Sequence, residues 1–248
     1  MLDQAVLARL HLEAVLSNLE IMATDDEQSR PIAGGWNGSI LFKAGLSGPS
    51  STLAFNNSRI SLTPGKQGKP DVVLFFPTEK LMNNMFTGSG LGFPLVLKGF
   101  TKLKGLLVFI KLAKRMEEVM KGANPPIPLK AKLTVNTLPR GIAILINHDK
   151  GMNEQKSHLP DGIAEFRIKD GFAAHVVYKN GYAHAEVGRA KKPDFIMEFS
   201  SEKTTVDVAD DKVDIMASIC LGDISMKGNL HMGDVLNGYL DRLSLYLQ

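Results

Sequence analysis

The residue types that most often carry catalysis or bind metal ions are spread thinly along this chain. Its six histidines, at positions 11, 148, 158, 175, 184 and 231, show none of the spacings typical of a zinc site. His175 and His184 fall on adjacent predicted strands, where we expect a pair on the outward face that is either solvated or placed between the two units. Cys220, the single cysteine, is predicted to be a small buried hydrophobe. No Ser/His/Asp order or paired carboxylates stand out, so the sequence predicts a protein that is not an enzyme and holds no metal and no cofactor.

The glycine-rich stretch Thr87-Gly-Ser-Gly-Leu-Gly92 invites comparison with nucleotide-binding loops. It lacks the preceding strand, the following helix and the Lys-Ser/Thr ending with which such loops hold phosphate. We therefore predict a flexible loop, which would serve as a lid if the surrounding unit binds a lipid.

The composition is that of a globular protein. Hydrophobic residues make up 44% and charged residues 22% of the 248 positions, and no apolar run is long enough to span a bilayer. The N-terminal residues have the pattern of an amphipathic helix and not of a signal peptide, so the sequence predicts a cytoplasmic protein. The net charge of +3 is too small for a nucleic-acid binder, which concentrates basic residues on one face. The oligomeric state is left open.

The strands and helices that must position any site occur twice along the sequence. The strand-like run Lys69-Pro-Asp-Val-Val-Leu-Phe-Phe76 has a near copy in Lys192-Pro-Asp-Phe-Ile-Met-Glu-Phe199, 123 residues later. Runs before and after it also recur at nearly the same offset, among them 38–42 with 162–166 and 95–99 with 224–228. A repeat this long predicts two tandem copies of one domain rather than a short-period solenoid.

Within each copy the order of elements is the same. Three short strands come first, a fourth follows Lys-Pro-Asp, and a short helix, a fifth strand and a terminal helix complete the unit. This order predicts the α+β class, with two units that each have a mainly antiparallel five-stranded sheet and helices covering one face. The short helices are predicted at 78–85 and 201–207, and the terminal helices at 101–120 and 234–247.

A proline-rich segment separates the two copies. Residues 124–128 cannot continue a helix, so they are predicted to be the linker between a first unit, 1–123, and a second unit, 129–248. After the linker, residues 129–135 are compatible with a strand. We favour a helix for 138–148, with Pro139 in its first turn.

Alternation along the strands predicts which side chains are buried. Glu198 should not face a core, so the odd-numbered residues of the run 195–199 turn inward. In the matching run 72–76, the inward residues are then Val72, Leu74 and Phe76, and Phe75 lies on the opposite face at the position of Glu198.

The fifth strands are treated in the same way. Ser225 and Lys227 point outward, so Ile224 and Met226 point inward. Through the repeat, Leu95 and Leu97 are predicted to face inward as well.

The terminal helix of the first unit is strongly basic. Its apolar arc is wide, and five cationic residues border it: Lys102, Lys104, Lys111, Lys114 and Arg115. Cationic amphipathic helices of this kind lie on membrane surfaces, so the helix near 102–120 is a candidate for transient contact with a membrane surface. In the alternative, the arc packs against the rest of the protein and the lysines are simply solvated.

The second unit resembles the sterol carrier protein family of lipid-binding domains. The resemblance lies in Gly162-Ile-Ala-Glu-Phe-Arg-Ile-Lys-Asp-Gly171, in the Lys179-Asn-Gly181 turn, in Lys192-Pro-Asp194 before the fourth strand, and in the junction Gly222-Asp-Ile-Ser-Met-Lys-Gly-Asn229. It covers about 155–248 well and about 36–120 more weakly, mostly through the repeat. The resemblance implies a five-stranded sheet, helices on one face and an apolar tunnel between them that binds lipid without chemistry.

The predicted ligand-binding residues are the apolar side chains that would line such a tunnel. In the first unit they are Phe42, Phe55, Val72, Leu74, Phe76, Leu81, Met85, Phe86, Leu95, Leu97, Leu106 and Ile110. In the second unit they are Phe166, Val176, Tyr178, Phe195, Met197, Phe199, Ile215, Ile219, Ile224, Met226, Leu236 and Leu240.

The function predicted from these residues is non-enzymatic binding, and transfer between membranes, of a small hydrophobic ligand such as a sterol, fatty acid, acyl-CoA or phospholipid. Apolar residues under a sheet are buried whether or not a ligand is bound. The alternative is therefore a scaffold with filled cores, for example an accessory subunit of a lipid-modifying enzyme complex.

Overall fold

The computed structural model describes residues 2–88, 92–99 and 103–247. The chain divides into two compact units, Met1–Pro125 and Pro126–Gln248. Each unit has one five-stranded sheet in which three strand pairs are antiparallel and one is parallel. The predicted α+β class, with mainly antiparallel five-stranded sheets and helices, is confirmed.

The first unit begins with a nearly continuous helical stretch. It comprises α1 (Gln4–Arg9), a π-helical segment (Leu10–Val15), α2 (Asn18–Asp25) and α3 (Ser29–Ala33). The strands are β1 (Gly38–Ala44), β2 (Ser50–Asn56), β3 (Arg59–Pro64), β4 (Val72–Phe76) and β5 (Leu95–Lys98), with α4 (Glu79–Thr87) before β5 and α5 (Leu103–Lys121) after it.

The sheet of the first unit has the order β3-β2-β1-β4-β5. The helix α2 packs on β3, α5 packs on β1, and α4 packs on α1 and β4. The Phe109 ring of α5 lies 4.9 Å from the Phe42 ring of β1, centroid to centroid, which fixes the face that the helices cover. That inner face is the core of the unit.

The second unit repeats this plan with one long first helix. It contains α6 (Ile127–His148), a 3₁₀ turn (Lys150–Met152), α7 (Asn153–His158), β6 (Gly162–Ile168), β7 (Ala173–Lys179), β8 (Tyr182–Val187), β9 (Phe195–Phe199), α8 (Glu202–Ala209), α9 (Ile215–Cys220), β10 (Ile224–Gly228) and α10 (Leu230–Leu247). The sheet order is β8-β7-β6-β9-β10, which matches the order β3-β2-β1-β4-β5 of the first unit strand for strand.

The short helices after the fourth strands lie where they are predicted. Thr78 caps α4 by accepting a hydrogen bond from the Leu81 N–H, and Ser201 caps α8 by accepting one from the Thr204 N–H. Such caps satisfy backbone donors that the first turn of a helix leaves unpaired.

The prediction of a strand at residues 129–135 is wrong, and the helix there begins well before Pro139. Pro126 precedes α6 and Pro128 lies in its first turn, where a missing N–H costs no hydrogen bond. Apolar residues and lysines alternate at the start of α6, which suggests a strand with one exposed face. Lys130 is itself buried, so the alternation does not reflect exposure. Its Nζ donates at 2.6 Å to Oδ1 of Asp210, the residue that follows α8, so the polar side chain is satisfied inside the unit.

The inward orientation predicted for Leu95 and Leu97 is also wrong. Leu95 pairs with Phe75 on the outer face, and Val96 pairs with Leu74 on the inner face. A β-bulge between Val73 and Leu74 adds one residue to β5, which shifts its faces relative to β10. Leu95 and Leu97 are accordingly 53% and 61% exposed. In the second unit Met226 pairs with Met197 without a shift, and Ile224 is buried as predicted.

Candidate functional site

Most of the inner face of the second sheet is closed. Most of the predicted lining residues there are buried: Phe166, Val176, Tyr178, Phe195, Met197, Phe199, Ile224 and Leu236. Ile215, Ile219, Met226 and Leu240 are half-buried. A void between sheet and helices, bordered by Ile146, Ala164 and Met232, has a volume of about 10 Å³. That volume suits one water molecule and not an acyl chain.

Much of the inner face of the first sheet is closed as well. Phe42, Phe55, Val72, Leu74 and Phe76 are at most 3% exposed. The π-helical segment and α2 contribute further fully buried leucines, and Phe109 and Leu112 of α5 cover β1. These predicted residues therefore form a packed core under β1, β2 and β4.

The rim of this core is more open. Leu81, Met85 and Phe86 of α4 and Leu106 of α5 are half-buried, and Ile110 of α5 is 50% exposed. Val96, the inward residue of β5, is also half-buried. We call the five residues Leu81, Met85, Val96, Leu106 and Ile110 the apolar rim. Four of them, Leu81, Met85, Leu106 and Ile110, belong to the predicted lining of the first unit.

A buried histidine fastens α4 to the N-terminal helices. The Nδ1 of His11 lies 3.1 Å from Asn83 Oδ1, and its ring stacks on Phe86 with centroids 4.8 Å apart. Asn83 Nδ2 in turn donates to the backbone carbonyl of Gln4 at 3.0 Å. Burial lowers the pKa of His11 to about 4, the Asn83 bond opposes this and Lys121 adds to it, so the imidazole is neutral at pH 7. This contact holds α4 beside the rim.

Other predicted features fall outside the rim. Cys220 is exposed, so the prediction that it is buried is wrong. His175 and His184 both face Glu186 of β8, with Nε2 to carboxylate oxygen distances of 3.4 and 3.2 Å. Within the described ranges, no group of three His, Cys, Asp or Glu side chains is placed to hold a metal ion.

Half of the predicted lid at Thr87–Gly92, residues 89–91, lies outside the described residues. Gly92 itself is described and lies against α4: a Cβ there would come within 2.3 Å of the Met85 nitrogen. Only glycine fits this approach, so the chain crosses α4 at the rim. Among the described residues no helix is long and apolar enough to cross a membrane.

A second concavity, which is not among the predicted sites, lies on the outer face of the first sheet. Its volume is about 360 Å³, and four lysines border it: Lys43, Lys66, Lys69 and Lys98. One signal for it was visible in the repeat, because Phe75 stands where the second unit has Glu198. A second signal is that Leu41 stands where the second unit has Glu165.

Comparisons with known proteins find similar solved structures. No family model matches the chain, and no curated protein sequence matches it significantly. The sterol carrier protein domain 2 of Helicoverpa armigera matches with a TM-score of 0.37 at 17% identity, over 46% of this chain and 91% of that chain. Sterol carrier protein 2 like 2 from Aedes aegypti matches with a TM-score of 0.32 at 15% identity, over 42% and 94% of the respective chains.

A third similar structure is the ubiquinone synthesis protein UbiJ-SCP2. It matches with a TM-score of 0.33 at 12% identity, over 50% of this chain and 95% of that chain. Nearly the full length of each of these proteins thus aligns with about half of this chain. At these identities the similarity concerns the fold alone.

Proposed function

We propose that the protein binds a hydrophobic ligand without catalysis, and that the ligand occupies the first unit at the apolar rim. The observation that carries this proposal is the accessibility of the rim. Its five side chains come from α4, β5 and α5, and all are half-buried or exposed, whereas the inner face under β1 and β2 is fully buried. Apolar surface of this kind is stabilised when a ligand or partner covers it.

The driving force would be transfer of hydrocarbon out of water. Each methylene group contributes about 0.8 kcal/mol on burial. A chain of about ten methylenes therefore supplies about 8 kcal/mol before the costs of association are subtracted. Micromolar affinity corresponds to about 8 kcal/mol, so a long acyl chain or a polycyclic ligand would be needed.

The side chains of the rim suit a ligand of variable shape. Met85 is flexible and polarisable and adapts to irregular surfaces. Leu81, one turn before it on α4, and Ile110 on α5 are aliphatic, and neither offers a hydrogen bond. Selection at the rim would therefore depend on ligand size and hydrophobicity rather than on polar groups.

The experiment is extraction of the purified protein with organic solvent, followed by mass spectrometry of the extract. The proposal predicts lipid in stoichiometric amount. It also predicts that Val96→Lys, which places a charge on the rim, lowers the lipid content at least fivefold, because a charge in an apolar contact is strongly unfavourable.

The matched control is Met226→Lys in the second unit. Met226 and Val96 occupy corresponding positions, since they pair with Met197 and Leu74 of the adjacent strand. Met226→Lys is expected to leave the lipid content unchanged. An equal loss in both variants would show that the rim is not the binding site.

A second candidate function is supported by the packing of the second unit. Most of its inner face is buried, and the void beneath it has a volume of about 10 Å³, so this unit is suited to a structural or interaction role. If purified protein yields no lipid, the account that remains is a scaffold with filled cores, and the rim would then be a surface for a protein partner.

A further inference from the structure

The outer faces of the two sheets have the same geometry and opposite chemistry. In the second unit the face is occupied by an ion-pair network. Arg167 lies between two carboxylates, with Nη1 3.0 Å from Glu165 Oε1 and Nε 2.6 Å from Glu198 Oε2. Lys227 adds a contact of 3.4 Å to Glu198 Oε1. Although burial raises the pKa of Glu198, the hydrogen bonds from Arg167 and Lys227 lower it below its usual value.

The loop after β8 completes this network. The Ala190 N–H donates to Glu165 Oε2 at 2.6 Å, and the Gly188 N–H donates to the Ala173 carbonyl at 2.8 Å. Glu165 is fully buried as a result. The second sheet thus supplies both the anions and the cations of its outer face.

In the first unit the cations are present and both anions are replaced. By the strand registers, Lys43 of the first sheet corresponds to Arg167 of the second, and Lys98 corresponds to Lys227. The same registers place Leu41 at the position of Glu165 and Phe75 at the position of Glu198. The concavity of about 360 Å³ lies at this place.

The loop after β3 brings two more lysines to the concavity. The Gly65 N–H donates to the Ser50 carbonyl at 2.7 Å, and the Gln67 N–H donates to Thr52 Oγ1 at 3.0 Å. These contacts hold the loop over the sheet, so that Lys66 and Lys69 border the concavity. Both side chains are exposed, and Lys98 Nζ donates to the carbonyl of Pro70.

No carboxylate is among the described residues that line this space, and its floor is apolar, formed by Leu41, Pro70 and Val73. Two carboxylates on flanking segments are engaged elsewhere. Asp71 Oδ2 accepts from the Ser39 N–H at 3.0 Å, and Glu79 lies against the turn that contains Gly45 and Gly48.

We propose that this space, which we call the lysine groove, binds a free anionic amphiphile. The anionic group would take the place that carboxylates of the chain occupy in the second unit, and the apolar part would lie on Leu41 and Val73. Phosphate and carboxylate both provide acceptor oxygens for ammonium groups. The volume lies within the range of small-molecule sites, roughly 300–1,000 Å³. The proposal is independent of the apolar rim, which lies on the opposite face of the sheet.

The test is calorimetric titration of the full-length protein, below the critical micelle concentration, with octyl phosphate, octanoate, octyl glucoside and inorganic phosphate. We expect saturable binding of octyl phosphate or octanoate, and the stronger of the two identifies the preferred anion. Octyl glucoside lacks the charge and inorganic phosphate lacks the chain, so each is expected to bind at least tenfold more weakly. Equal binding of inorganic phosphate, or of octyl glucoside, would overturn the proposal.

Two sets of variants locate the binding. Lys66→Gln/Lys69→Gln, which changes only exposed loop side chains, is expected to weaken binding at least tenfold. Its matched control is Lys191→Gln/Lys192→Gln on the corresponding loop of the second unit, expected to change nothing. If the two double variants behave alike, the groove is not the site.

A further variant restores a missing anion. Phe75→Glu places a carboxylate beside Lys43, as Glu198 lies beside Arg167 in the second unit. This variant is expected to abolish binding, whereas the uncharged Phe75→Gln is expected to retain more of it. Amide NMR shifts in β1 on titration, with none at the apolar rim, are expected for the parent protein. Shifts at the rim alone would assign the amphiphile to the rim and contradict the proposal for the groove.

Discussion

Phe75 and Glu198 occupy corresponding positions in two sheets of the same order. In the second sheet the carboxylate pairs with Arg167 and Lys227, and the outer face is electrically satisfied. In the first sheet a phenyl ring stands at that position and the nearby lysines have no such carboxylate on the sheet. One replacement of this kind, together with Leu41 for Glu165, changes a structural face into a candidate binding face.

Ser51 and Thr52 are adjacent residues of β2 with different hydrogen bonding. The Ser51 side chain is fully buried, and its Oγ has no partner among the described residues. Thr52 Oγ1 donates to the Gly65 carbonyl at 2.8 Å and accepts from the Gln67 N–H. An unsatisfied buried hydroxyl costs free energy, whereas a satisfied one contributes about 1 kcal/mol.

We therefore predict that Ser51→Ala leaves the free energy of unfolding unchanged or raises it by up to about 1 kcal/mol. Thr52→Ala is expected to lower it by about 1 kcal/mol or more. Urea unfolding followed by the fluorescence of Trp36, the single tryptophan, measures both in the first unit. A loss for Ser51→Ala as large as that for Thr52→Ala would contradict the assignment.

At the scale of elements, the contact between the π-helical segment and α4 depends on the charge of His11. The pKa of a histidine in an unfolded chain is about 6.5, and burial lowers that of folded His11 to about 4. As the pH falls below 6.5, the unfolded state binds a proton that the folded state does not. The folded state therefore loses stability between these two values, by up to about 3.5 kcal/mol at about 1.4 kcal/mol per pKa unit.

The measurement is urea unfolding at several pH values between 7 and 4, followed by Trp36. His11→Gln is expected to flatten the profile in this window. Glu13 acts in the opposite sense, because burial raises its pKa, and it is unchanged in the variant. Burial alone would raise the pKa of Asp26, but hydrogen bonds from Arg115 lower it. The stability that Asp26 contributes is therefore lost only below its usual pKa of 3.8. A parent profile that is flat from pH 7 to 4 would show that His11 is not the sensitive group.

The elements also show where sequence reasoning succeeds and where it fails. Alternation correctly predicts the buried face of β4 and β9, because polar Glu198 marks the outer side. The same alternation fails for β5, because a bulge inserts Leu97 as an extra residue and so changes which side chains face inward. The sequence contains no signal for this bulge. It also fails for residues 129–135, which are helical. There Lys130 is buried because it pairs with Asp210, 80 residues away, so its charge does not mark an exposed position.

At the scale of the whole molecule, the chain has two units of one plan and an unequal distribution of charge. Residues 1–124 contain 14 Lys/Arg and 10 Asp/Glu, whereas residues 125–248 contain 15 and 16. The excess of cations in the first unit includes the four lysines of the groove. The apolar rim is in the same unit, so both proposed binding surfaces belong to the first unit.

The candidate sites could be predicted in part. The residues of the inner face were identified from the repeat, and most of them are buried, as a core or a tunnel requires. Whether a space remains among them depends on packing at the level of single methyl groups, which residue types do not specify. The groove depends on differences between the two units, and those differences are visible in the sequence only when the sheet registers are known.

Native mass spectrometry of the intact, freshly purified protein tests the central claim most directly. The account predicts a species with one lipid bound per chain, because the rim of the first unit is open and the void of the second holds about 10 Å³. A spectrum that contains only the mass of the bare chain, after purification without detergent, would contradict ligand binding. A second bound lipid that persists in Lys66→Gln/Lys69→Gln would contradict the assignment of binding to the first unit.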